Sequence, residues 1–142
     1  MSVILNNKVG FKLDSVDLSD HVTAVTLNRT FDEIEISSMG DSAHKFIKGL
    51  EASSITIDLL NDDLATGAGA TRATLQSAWG KTVNVVLLQD KLAPVSATNP
   101  LYTFTVLVNN TTDVNGTPAD ISAQSLTFNC NSATSVVPTG TF

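Results

Sequence analysis

The residues able to do chemistry in this chain are few and scattered. There are two histidines, His21 and His44, and one cysteine, Cys130. A zinc site draws paired Cys and His ligands at short spacing, and no such spacing occurs. No nucleophile motif places a Ser, Thr or Cys beside a base. Cys130 follows the strand-like run SLTFN and reads as a small, partly buried side chain. The acidic groups Asp14, Asp17, Asp20 and Asp58, Asp62, Asp63 offer oxygens for calcium, but neither has the spaced loop closed by a bidentate glutamate. Asp at turns more commonly bonds the local backbone. The segment Gly67-Ala-Gly-Ala-Thr-Arg72 lies between a strand and a helix, where glycine-rich loops cradle phosphate. It lacks the third glycine and any Gly-Lys-Ser/Thr ending, so it reads as a flexible entry to a helix. The expectation is a non-enzymatic protein with no catalytic residue, no metal and no cofactor.

The elements that would position any site read as strands. The chain of 142 residues fits one domain spanning 1–142, with 42% apolar and 15% charged residues. Ser, Thr, Asn and Gly are abundant and Lys, Arg and Glu scarce, which suits strands and turns. No run reaches the ~18 apolar residues of a membrane helix, so no membrane partner is expected. The formal charge of −6, with eight scattered basic residues, opposes binding through phosphates. It suits a wall past which DNA slides without sticking. The single cysteine and the opening MSVILNNKVG, without a signal-peptide pattern, point to folding in a reducing cytoplasm.

Val9–Leu13 and Val16–Leu18 flank Asp14-Ser15 as a hairpin. From Val22 to Phe31, Val25, Leu27 and Phe31 share one parity, and Thr26, Asn28, Thr30 and Asp32 the other. Ile34 and Ile36 then continue on the wet parity, so either a bulge forms near Asp32 or the strand leaves one sheet for another. Ser37–Ser53 has no sustained period and reads as a long inter-strand loop whose Met39, Phe46, Ile47 and Leu50 need a partner. Ser54–Leu60, Val83–Gln89, Leu101–Thr112 and Ile121–Asn129 complete the strands. Thr71–Trp79 is the one helix, with Thr71 able to cap and Gly80 able to stop it. The tail VVPTGTF is either flexible or docked on a neighbour. Six or seven strands and one flanking α-helix make a mainly β fold, a β-sandwich or open barrel.

Four local signals occur in order: Asp17-Leu-Ser-Asp-His-Val22, Ser38-Met-Gly-Asp41, Lys48-Gly-Leu50, and Asn99-Pro100 before LYTFTVLV. In that order they resemble the major tail tube proteins of long-tailed bacteriophages with non-contractile tails. The resemblance implies a virion structural protein, made in the bacterial host cytoplasm, that assembles with itself into hexameric rings stacked as a tube. DNA would pass through without specific binding, and the tape measure, tail terminator and distal tail proteins would be partners. It implies inter-ring contacts from Met39, Phe46, Ile47 and Leu50. Parity offers Thr26, Asn28, Thr30, Asp32, Thr56 and Asp58 as the channel wall. The rivals are a capsid decoration or tail-completion subunit and a ligand-binding sandwich, the latter disfavoured by the single Trp and single Tyr.

Overall fold

The computed structural model describes residues 8–142, so most of the opening MSVILNNKVG, on which the signal-peptide expectation rests, lies outside the described residues. Among the described residues the fold is mainly β, with ten strands in three sheets and one α-helix. The amino end folds as read: β1 (Gly10–Leu13) and β2 (Val16–Asp17) pair antiparallel. Asp14 and Ser15 between them both take left-handed backbone, φ 52° and 67°, as a two-residue turn matched to strand twist demands.

β1 is the fourth strand of a five-stranded sheet ordered β10-β8-β7-β1-β2, with β7 at Thr82–Leu88, β8 at Leu101–Leu107 and β10 at Ser135–Val137. Facing it is a three-stranded antiparallel sheet, β3-β6-β9, of Val22–Asn28, Ser54–Leu60 and Ala123–Asn129. Alternating residues of both sheets meet in one core. Phe11, Leu13, Val83, Val85, Phe104 and Val106 come from one side, and Ile55, Ile57, Leu59, Leu126 and Phe128 from the other. The helix α1 (Thr71–Ala78) adds Leu75 and Ala78. Each such side chain removed from water contributes about 1.5–3 kcal/mol, which fixes strand phase because a one-residue slip would expose the whole set.

The sandwich does not close into a barrel. The two sheets join at one corner, where Val106 bridges Cys130 and the Asn131 amide donates to the Thr105 carbonyl at 2.7 Å. At the opposite side no strand among the described residues lies beyond β3, and a groove of about 750 Å³ opens between its Val22, Val25 and Leu27 and the Leu87 and Tyr102 side of the larger sheet.

Three expectations are corrected. The segment Ser37–Ser53 is not loop throughout: Phe46–Glu51 forms β5, paired antiparallel with β4 (Phe31–Glu35). Its period was hidden because the three residues Phe31–Glu33 lie opposite the four of Lys48–Glu51, so β5 carries the extra residue. The tail is not loose. β10 pairs with β8, and the Phe142 ring lies where a Cβ on Gly10 would come within 2.9 Å, with the Lys12 ammonium 4.5 Å from the ring centroid. Thr71 does not cap α1; it is the first helical residue, Ala70 holds the cap position without a side-chain bond, and Gly80 at φ 73° ends the turn as expected.

One polar fastening ties the hairpin to the body. The Asp17 carboxylate accepts from the Ser19 amide at 2.9 Å and from the Lys91 ammonium at 2.8 Å. Burial alone would raise this carboxyl, but the Lys91 and Ser19 hydrogen bonds outweigh it and hold it below the ordinary value. A depressed folded-state value means stability that is present above the unfolded Asp value of about 3.9 and lost as pH falls through the folded one. Asp17→Asn is expected to lower the thermal midpoint at pH 7 and to flatten its acid dependence below pH ~4, as read by melts from pH 2 to 7. Parallel curves for variant and parent would contradict this.

Candidate assembly surfaces

β3 and β4 are one strand in all but a break at Arg29-Thr30, and β5 and β6 likewise across Ala52-Ser53. The Ala52 amide donates to the Thr30 carbonyl at 2.8 Å, and the Thr30 hydroxyl donates to the Ala52 carbonyl at 2.6 Å. The result is a ribbon from Val22 to Glu35 and back from Phe46 to Leu60. Its lower half belongs to the three-stranded sheet, and its upper half stands off the body as a two-stranded arm. Both explanations for the phase slip have a counterpart: the ribbon leaves the three-stranded sheet at Arg29-Thr30, and the β4–β5 register shifts between Phe31 and Glu33, beside Asp32, with the extra residue on β5.

The arm is exposed along its length. Ile34 and Ile47 pair directly, each about half exposed, and by alternation Ile36 shares their face. The other face carries Phe31, Glu33, Glu35, His44, Phe46 and Lys48. There the Lys48 ammonium lies 5.6 Å from the Phe31 ring centroid, and His44 Nδ1 lies 2.9 Å from Glu35. Met39 at the tip is fully exposed and Leu50 is 81% exposed. The tip is ordered locally: the Ser38 amide donates to Asp41 at 2.7 Å and Lys45 pairs with Asp41 at 2.9 Å. The Ser38 amide first, then Lys45, hold the Asp41 carboxyl below its ordinary value. Gly49 is required, since a Cβ there would meet the Asp32 carbonyl at 2.8 Å. All four predicted contact residues, Met39, Phe46, Ile47 and Leu50, therefore lie on this arm. Parity reading missed the pairing of Ile47 with Ile34, because that pairing needs β5.

The polar residues fall into cross-strand rows on the outer side of the three-stranded sheet. Ala24, Asp58 and Ser125 make one row, Thr26, Thr56 and Thr127 the next, and Asn28, Ser54 and Asn129 the third. The Thr56 and Thr127 hydroxyls are 3.2 Å apart. The structure thus brings Thr26, Asn28, Thr56 and Asp58 onto one flat face. Thr30 sits at the break and Asp32 on the arm. Ser125, Thr127 and Asn129 belong to the same face and were not singled out from sequence, because their strand was read without its pairing partner.

Among the described residues, His21, Asp62 and Thr71 come together. His21 Nδ1 lies 3.4 Å from an Asp62 oxygen and 3.5 Å from the Thr71 hydroxyl. Both contacts use the same ring nitrogen, whereas a base–nucleophile relay needs the carboxylate on one nitrogen and the hydroxyl on the other. Gly69, at φ 83°, abuts this ring, with a Cβ position 2.9 Å from His21 Cε1, and its amide donates to the Asp17 carbonyl at 2.8 Å. The glycine-rich segment is thereby explained by packing against His21, and its amide is engaged within the protein. The Cys130 thiol is raised by burial and, secondarily, by Glu51, which keeps it protonated and weakly nucleophilic.

Fold and surfaces together define a small β domain whose three-stranded sheet has a polar outer face carrying Asp58, with a two-stranded arm of exposed apolar residues projecting from it. No protein-family model matches the chain, and no curated protein matches it significantly. Among solved structures it is similar to a chain in the cryo-EM structure of the anti-feeding prophage (AFP) baseplate, 6-fold symmetrised. The TM-score is 0.57 at 11% identity, covering 96% of this chain and 97% of that one. That likeness is one of fold.

Proposed function

We propose that this chain is a non-enzymatic structural subunit of a phage-tail-type particle, and that it polymerises as stacked, six-membered rings into a tail tube through which DNA is ejected. The arm is the observation that carries this reading. Phe31, Ile34, Ile36, Met39, Phe46, Ile47 and Leu50 are all exposed on the arm and none belongs to the buried core, and an apolar patch of that kind marks a protein contact. The fold likeness to a chain of a six-fold particle supports it. A ring uses one heterologous contact that closes, and stacking repeats a second. The open β3 edge serves the first, and the arm, through Met39, Phe46, Ile47 and Leu50 with Ile34 and Ile36, the second.

In the tube the polar face of the three-stranded sheet lines the channel, with Thr26, Asn28, Thr56 and Asp58 toward the lumen and Thr30 and Asp32 continuing it toward the next ring. Short hydroxyl and amide side chains leave the bore open, and the carboxylates repel phosphate. The tape measure, tail terminator and distal tail proteins are the other partners of this reading, and the assembled virion tail is its location. A second reading is a single ring at the tail end, favoured by the baseplate origin of the similar chain.

Sedimentation across a concentration series tests the proposal. A shift from monomer to discrete rings and then to a polydisperse fast fraction, unchanged by chelator, is expected. A stop at one ring size favours the tail-end reading. A monomer at every concentration overturns both.

A further inference from the structure

The two outer edges of the three-stranded sheet are treated differently. Among the described residues, the open groove alone lies beyond β3. Beyond β9 lies segment 108–122, which connects β8 to β9 without helix or strand. It covers the edge by side chains instead of a ladder. Asn110 Nδ2 donates to the Thr127 carbonyl at 3.1 Å, and Asn115 Nδ2 donates to the Ala123 carbonyl. These two carbonyls are four residues apart on one parity, and that parity turns its backbone groups away from β6. The segment is held by further amide and hydroxyl contacts: the Thr112 amide to Gln124 Oε1 at 3.0 Å, and the Ser122 hydroxyl to Asn115 Oδ1 at 2.7 Å. It buries no large apolar group beyond Val108, and Val114 and Ile121 are mostly exposed.

A sheet that must continue from copy to copy needs both edges. β3 and β9 each have seven residues, and both run antiparallel to β6, hence parallel to each other. Rotation about a ring axis preserves strand direction, so β9 of one copy meets β3 of the next in parallel. The carbonyls it would offer are those that Asn110 and Asn115 occupy. We propose that segment 108–122 guards the β9 edge of the free subunit, and that the β3 edge of a second copy displaces it when a ring closes. The inference rests on the assembly reading above. Exposed edges invite uncontrolled pairing, and covering one of the two suffices to stop a heterologous contact from propagating. Exposed side-chain amides are suited to this because water and a neighbour's backbone both compete for the same carbonyls.

The test is the pair of substitutions Asn110→Ala and Asn115→Ala, followed by light scattering against concentration beside the parent chain. The double variant is expected to shorten the lag before assembly by tenfold or more and to lower the concentration at which assembly begins. An unchanged or longer lag overturns the guard while leaving the subunit reading intact. Failure of both chains to assemble at any concentration overturns both. Hydrogen exchange on the unaltered chain supplies a second readout: on assembly β3 and β9 amides gain protection while those of 113–121 lose it. Joint protection of β9 and 113–121 overturns the proposal.

Discussion

Replacing Ile34 and Ile47 together by Asp is expected to abolish higher-order assembly and leave the subunit folded. The two side chains are a directly opposed pair on the arm, each about half exposed, and neither touches the buried core. Two carboxylates placed across from each other repel, and like charges in that position destabilise a pair by a few tenths to about 1 kcal/mol. That cost falls on the arm alone, because the body's core is built from other residues. In an assembled contact the loss is far larger. Each isoleucine removed from an apolar contact forfeits about 1.5–3 kcal/mol, and each buried carboxylate without a partner adds a desolvation penalty. The contact repeats at every subunit of a ring. The expected result is a monomer at all concentrations with a thermal midpoint within a few degrees of the parent. A variant that unfolds would show that the arm belongs to the subunit's own core, and one that assembles normally would remove the arm from the contact.

Phe128→Ala is expected to do the opposite, collapsing stability while leaving the arm untouched. Phe128 is 1% exposed near the C-terminal end of β9, paired across from Ile55 and part of the core between the sheets. Truncating a buried phenylalanine costs about 3–5 kcal/mol, the lost transfer energy plus the cavity left behind. That is a large share of the ~5–15 kcal/mol that holds a domain together. The thermal midpoint should drop by ~10 °C or more, and the urea midpoint should fall with the slope unchanged. A drop of only a degree or two would mean that the two sheets do not meet at this position.

These two substitutions mark what the sequence discloses well and badly. The body strands were legible because their inner faces are strictly alternating: Ile55, Ile57 and Leu59 against Thr56 and Asp58 leave one possible phase. The short motifs were legible as signals but not as to their work, which is to shape backbone. Asp17 and Ser19 build the turn into the short 3-10 segment Ser19–His21, and Ser38 and Asp41 close the arm's tip. Gly49 lets β5 pass Asp32, and buried Asn99 bonds the Asp90 and Pro94 carbonyls. The arm's second strand was hidden by the extra residue between Lys48 and Glu51, since a parity rule fails across a bulge. The short edge strand β10 was missed because three residues are too few to show a period. The side-chain caps on β9 leave no pattern at all, because Asn110 and Asn115 in a polar loop look like any other turn residues.

Electron microscopy of the concentrated, purified chain tests the central claim most directly. The account predicts rings of six copies and, at higher concentration, tubes of uniform width with an open, water-filled bore, lost in the doubly substituted Ile34 and Ile47 chain. Fields of isolated particles of subunit size, with neither rings nor tubes at any concentration, would contradict it.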